Sequence, residues 1–89
     1  MLTWIIEYQG YTAPIERVTI PAIREEIDPI RSEIAGALSE LDADTDELTV
    51  AFVLDDDRHL SVELRGDTRL VQQAQDALGT KREIGRLLN

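Results

Sequence analysis

Three aspartates fall on alternate residues in Leu41-Asp-Ala-Asp-Thr-Asp-Glu-Leu48, at Asp42, Asp44 and Asp46. Carboxylates at that spacing suit a hard divalent cation, and an EF-hand calcium loop opens in this way. Such a loop also needs glycine at its sixth position, for the turn, and a bidentate glutamate at its twelfth. Counted from Asp42, those positions hold Glu47 and Val53. Both requirements fail, so the stretch reads as an acidic connection and no metal is expected there. Asp55, Asp56 and Asp57 form a second acidic run, of the kind that makes a solvated hairpin tip. It lies at the opposite end of a strand from the first run, which argues against a shared ion site.

The remaining chemistry-bearing residues are scattered. His59 is the one histidine, and the chain has no cysteine. A lone histidine could serve as a general base, but no nucleophile or oxyanion donor can be named near it. Ser32, Ser39 and Ser61 lack triad partners, and the five glycines form no phosphate loop. We expect no catalytic residues, no cofactor and no metal, hence no enzyme.

Eighteen acidic residues against nine basic ones give a net charge of −9. Residues 22–47 carry nine acids and two arginines, a net of −7, whereas residues 67–89 carry three acids and four bases, a net of +1. A surface this acidic repels phosphate backbones, so nucleic acid is not an expected partner. It suits a basic protein, or serves solubility. Lys81 is the one lysine among the bases; acid-rich, lysine-poor composition fits a salt-adapted source or a GC-rich genome. Glu7 interrupts the apolar start, no basic region precedes it, and no run approaches the ~20 apolar residues of a membrane span. Without cysteine there is no disulfide framework. The expected setting is cytoplasmic, with no membrane partner.

These residues need elements to position them. Leu2, Trp4, Ile6 and Tyr8 share one parity, as a half-buried strand does. Gly10 to Pro14 reads as a loop. Ile15 to Ile20 reads as a second strand at a sheet edge, bracketed by Pro14 and Pro21, with Val18 and Ile20 inward. Ile23, Ile27, Ile30, Ile34, Ala37 and Leu41 make a helical stripe that keeps its phase across Pro29, which favours one bent helix over two helices, the second capped by Asp28 with Pro29 at its first position. Leu48 to Leu54 and Leu60 to Leu64 alternate on either side of a polar turn, as an antiparallel hairpin does. Asp67 is an N-cap and Gly79 a stop for a second helix carrying Leu70, Val71, Ala74, Ala77 and Leu78. Thr80-Lys-Arg-Glu83 has the form of a capping box opening a short helical tail.

The expected fold class is therefore α+β. It has a four-stranded, mainly antiparallel sheet in ββαββα order, a domain over 1–79 and a C-terminal helical tail over 80–89. The order is similar to the β-grasp arrangement of ubiquitin-like domains, where a helix packs across a four-stranded sheet. That likeness is one of topology alone, carried by no residue motif, and it implies no function. The chain ends Arg86-Leu-Leu-Asn89, without the diglycine of a conjugated modifier. The strands Leu2–Tyr8 and Leu48–Leu54 open their halves alike, which would also fit a duplicated ββα unit; a chance likeness between strands is the plainer account.

Ile5, Ile15 and Val53 have outward parity on a sheet whose outer face should be polar. With Ile84, Leu87 and Leu88 of the tail, they are the candidate partner-contact residues. The expected function is a small acidic protein–protein interaction module, an adaptor or regulatory domain that self-associates as a homodimer. The alternative is an acidic inhibitor, such as an immunity protein or antitoxin, bound to a basic enzyme.

Overall fold

The computed structural model describes residues 2–41, 45–57, 59–80 and 82–88, and only the backbone of residues 45, 82 and 83. Asp42 and Asp44 of the acidic connection lie outside the described residues. So do Arg58, Lys81 and the Glu83 side chain of the expected capping box.

The first strand, β1 (Thr3–Tyr8), turns directly into β2 (Tyr11–Pro14). Gln9 and Gly10 both have positive φ, 48° and 83°. That is the backbone a two-residue hairpin turn demands, because it matches the twist of the flanking strands. The stretch read as a loop is thus a strand. Ile15 to Ile20, read as the strand, is instead a 3-10 turn at Ile15–Arg17 followed by an extended link. The correction has a local cause. Gln9-Gly10 makes the turn early, and β2 is used up by Pro14, which ends the ladder.

Helix α1 (Pro21–Ser39) runs unbroken through Pro29, as the continuous stripe predicts. Pro29 is exposed and sits opposite the stripe, so its missing N–H falls on the solvent side. Pro21 stands in the first turn, where no backbone donor is required. Strands β3 (Thr49–Leu54) and β4 (Leu60–Arg65) form the expected hairpin. Gly66 leaves it at φ +146°, and a Cβ there would lie 2.7 Å from the Glu47 carbonyl oxygen. Helix α2 (Thr68–Gly79) is capped by Asp67, whose carboxylate accepts from the Leu70 N–H at 3.3 Å. A single turn, α3 (Arg82–Gly85), follows.

The order of elements is the expected ββαββα, but the sheet is mixed rather than mainly antiparallel. The strand order is β2-β1-β3-β4. Both hairpins are antiparallel, and they join through their first strands: β1 and β3 run parallel, with Thr3 opposite Thr49 and Tyr8 opposite Leu54. Local alternation sets which face each strand buries and carries no information on which strands become neighbours, so the parallel seam was not legible. The topology amounts to two ββα units side by side, with the matching strands Leu2–Tyr8 and Leu48–Leu54 in direct register.

Both helices lie on one face of the sheet. Their buried residues, Ile27, Ile34 and Leu38 of α1 and Leu70, Ala74 and Leu78 of α2, share one core with Trp4, Phe52 and Val62. Phe52 stacks on Trp4 with ring centroids 6.1 Å apart, and the Arg31 guanidinium sits 5.2 Å over the Trp4 ring. No helix among the described residues is long and apolar enough to cross a membrane.

Candidate docking groove

The inner face of the sheet is apolar on every strand, but its helical cover is uneven. Residues of α2 and the tail close the β4 end. Ile84 is fully buried in the core, with Leu87 and Leu88 packed against it. The Val62 N–H donates to the Leu87 carbonyl at 2.6 Å, and Leu88 bridges Val62 as a fragment of parallel strand. At the other end, β2 is a four-residue strand at the edge of the sheet. Its inward residues, Tyr11 and Ala13, pair with Tyr8 and Ile6 of β1.

A groove of about 550 Å³ opens there. The sheet forms one wall with Ile6, Tyr8, Tyr11, Ala13 and Leu54; the link from Arg17 to Ile20 and the first turns of α1, at Ala22, Ile23 and Glu26, form the other. The link is held to the helix by Arg24, whose Nη1 donates to the Ile15 carbonyl at 3.0 Å. Ile15, which precedes the link, is itself fully buried. The three large hydrophobic residues exposed among the described residues all line this groove: Tyr8 at 42 %, Tyr11 at 80 % and Ile20 at 56 %. Its polar lining residues, Arg17, Thr19 and Glu26, stand exposed at the rim, so no buried polar group converges on a small-molecule head group.

A second hollow of about 400 Å³ shares Tyr8 and Leu54 with the groove and is lined by Glu7, Asp55 and Asp56 among others. It lies where the two hairpin turns meet, and Gln9 Nε2 reaches Asp56 Oδ1 at 3.5 Å. Asp55 organises the β3–β4 turn. Its Oδ1 accepts from the N–H of Asp57 at 2.9 Å and of His59 at 2.8 Å, and its Oδ2 lies 3.5 Å from His59 Nδ1. Asp55, Asp57 and His59 bring ligand-type atoms within 4.8 Å of one another, all exposed. The backbone N–H groups already engage Asp55, and exposed acidic tips of this kind are ordinary turn formers. Asp46, the described member of the other acidic run, is also exposed.

The outer face of the sheet is organised by charge. Arg65 on β4 reaches across β3 to Glu7 on β1 with a fork of two hydrogen bonds, Nη1 to Oε1 and Nη2 to Oε2, the latter at 2.9 Å, and its Nε meets Glu63 Oε1 at 3.2 Å. The hydrogen bond from Arg65 pulls the Glu7 carboxyl below its usual range, with burial working against it. The bond to Glu7, then that to Glu63, holds the guanidinium still more firmly charged than usual. Ala51, between Ile5 and Glu63 in the register, is fully buried, while Ile5 and Val53 are half-buried. The structure thus places Ile5 and Val53 beside this bridge, and Ile15 and Ile84 inside the chain's own core. It does not bring the six sequence-selected contact residues to one surface.

The groove residues were missed for identifiable reasons. Tyr8 and Ile20 have inward parity, which does not by itself say that a helix covers them, and Tyr11 falls in Gly10 to Pro14, a stretch with the composition of a loop. The signal available was the alternation of Tyr11 with Ala13 directly after Gly10.

No family model matches this chain, and no match is found among curated proteins or solved structures. The functional reading therefore rests on geometry and charge.

Proposed function

We propose that this chain is a small acidic protein–protein interaction module, an adaptor or regulatory domain without catalytic activity of its own, which docks a partner in the groove between β2 and the start of α1. One observation carries the reading: Tyr8, Tyr11 and Ile20, the large hydrophobic residues left exposed among the described ones, line a single concave surface. Scattered exposed hydrophobics need no explanation, whereas a contiguous apolar patch with a polar rim marks a contact site. Fully burying a large apolar side chain contributes about 1.5–3 kcal/mol, so two or three anchors support a transient complex. A groove of about 550 Å³ accepts a few side chains of a segment, not the flat face of a domain.

The test compares baits. The wild-type chain, Tyr11→Ser with Ile20→Ser, and the outer-face variant Ile5→Ser are each immobilised and exposed to extract of the source cells. The reading expects one partner, or a further copy of the chain, that is retained by the wild type and Ile5→Ser and released by the groove double variant. Identical retention by all three baits overturns it.

A further inference from the structure

We propose that the segment received by the groove is basic as well as apolar: an extended stretch whose hydrophobic residues pack against Tyr11 and Ile20 and whose arginines or lysines meet the acids beside them. This rests on the docking reading and adds the chemistry of the occupant. The observation is the charge at the groove's margins. The groove and the adjoining hollow, which share Tyr8 and Leu54, are lined by one base, Arg17, and by four acids, of which Glu7 is bridged to Arg65 and Glu26, Asp55 and Asp56 make the excess. The other cations nearest by position are engaged elsewhere, Arg24 with Asp28 and the Ile15 carbonyl and Arg31 with Glu16, while Arg65 is taken up by Glu7 and Glu63. The positive end of the α1 dipole, about half a charge and effective only within its first turn, does not offset the surplus.

A second copy fits less well. Each chain carries −9, and exposed charges repel over about 8 Å at physiological salt. The same field attracts a cationic segment and steers its approach.

The probes are three short synthetic peptides: alternating leucine and arginine, alternating leucine and glutamate, and alternating serine and arginine. Each is titrated into the isotopically labelled full chain while backbone amide shifts are followed. The inference expects the leucine–arginine peptide to shift Tyr8, Tyr11, Ala13 and Ile20. It should bind at least tenfold more tightly than either counterpart, and weaken at least tenfold in Glu26→Gln with Asp56→Asn. Both substitutions are at exposed positions, and a thermal melt checks that the fold is kept. Equal or tighter binding of the leucine–glutamate peptide overturns the basic occupant and leaves the docking reading standing. Equal binding of the serine–arginine peptide, or shifts away from the groove, reduces the effect to general electrostatics and overturns it. Absence of binding by the leucine–arginine peptide overturns it as well, and the bait comparison then decides the docking reading separately. A wild-type dimer in light scattering that Tyr11→Ser dissolves makes the occupant a second copy; it overturns the basic occupant while supporting the groove.

Discussion

The two ends of the inner sheet face present the same kind of surface and meet different fates. At the β4 end, Leu60, Val62 and Leu64 alternate inward, and α2 with the tail covers them, down to the hydrogen bond from Val62 to Leu87. At the β2 end, Tyr8, Tyr11 and Ala13 also face inward, yet only the link and the first turns of α1 stand beside them. The difference teaches that alternation selects a face and leaves its cover to the layout of the helices. One ββα half is completed by the chain's own tail. The other keeps an apolar surface in the open, which we read as the place of a partner.

This contrast can be broken most forcefully at the closed side. Phe52→Ala removes a fully buried ring stacked on Trp4 and should cost about 3–5 kcal/mol in denaturant unfolding. Tyr11→Ser at the open end should stay within about 0.5 kcal/mol of wild type, as exposed substitutions do. Comparable losses at both positions would mean that the groove is part of the core. Ile84→Ala should cost about 2–5 kcal/mol, because Ile84 is as fully buried as Phe52. Truncation after Gly79 removes Ile84, Leu87 and Leu88 together and should lower the melting temperature further. A truncated chain that melts like wild type would make the tail an appendage rather than the cover of the β4 end.

How much of this was legible in the sequence depends on the range of the forces involved. The α1 stripe, the Asp67 cap, the β3–β4 hairpin and the buried parity of Trp4 and Phe52 are local patterns, and each is present as read. The β2 strand was misplaced because Gln9-Gly10 lacks the asparagine or aspartate that most clearly announces such a turn. Mixed pairing through β1 and β3, the burial of Ile15 and the opening of the groove all depend on contacts between distant segments. Nothing in a strand's own alternation specifies its neighbour, and nothing in an inward residue says whether a helix lies over it.

Smaller perturbations sharpen the account. Gly66→Ala should cost about 1–3 kcal/mol, since the backbone there is at φ +146° and the new Cβ meets the Glu47 carbonyl at 2.7 Å. Equal stability would show that the exit from β4 relaxes freely. The outer face should give the weakest effect, and a pH-dependent one. The Glu7 carboxyl is held below its unfolded value by Arg65, and an unperturbed glutamate titrates near about 4.3. Its contribution is therefore fully present above that value and is lost as pH falls through the lowered folded one. The gap in melting temperature between wild type and Arg65→Gln should narrow on acidification. A gap that widens would mean that the bridge does not set the ionisation of Glu7.

The central claim concerns which surface meets the partner, and site-specific photo-crosslinking tests it most directly. A photoreactive phenylalanine analogue is placed at position 11, in the groove, or at position 5, on the outer face, and each chain is irradiated in its source cells. The account predicts a covalent product, with a partner or a second copy, from position 11 and none from position 5. A product from position 5 with none from position 11 would contradict it.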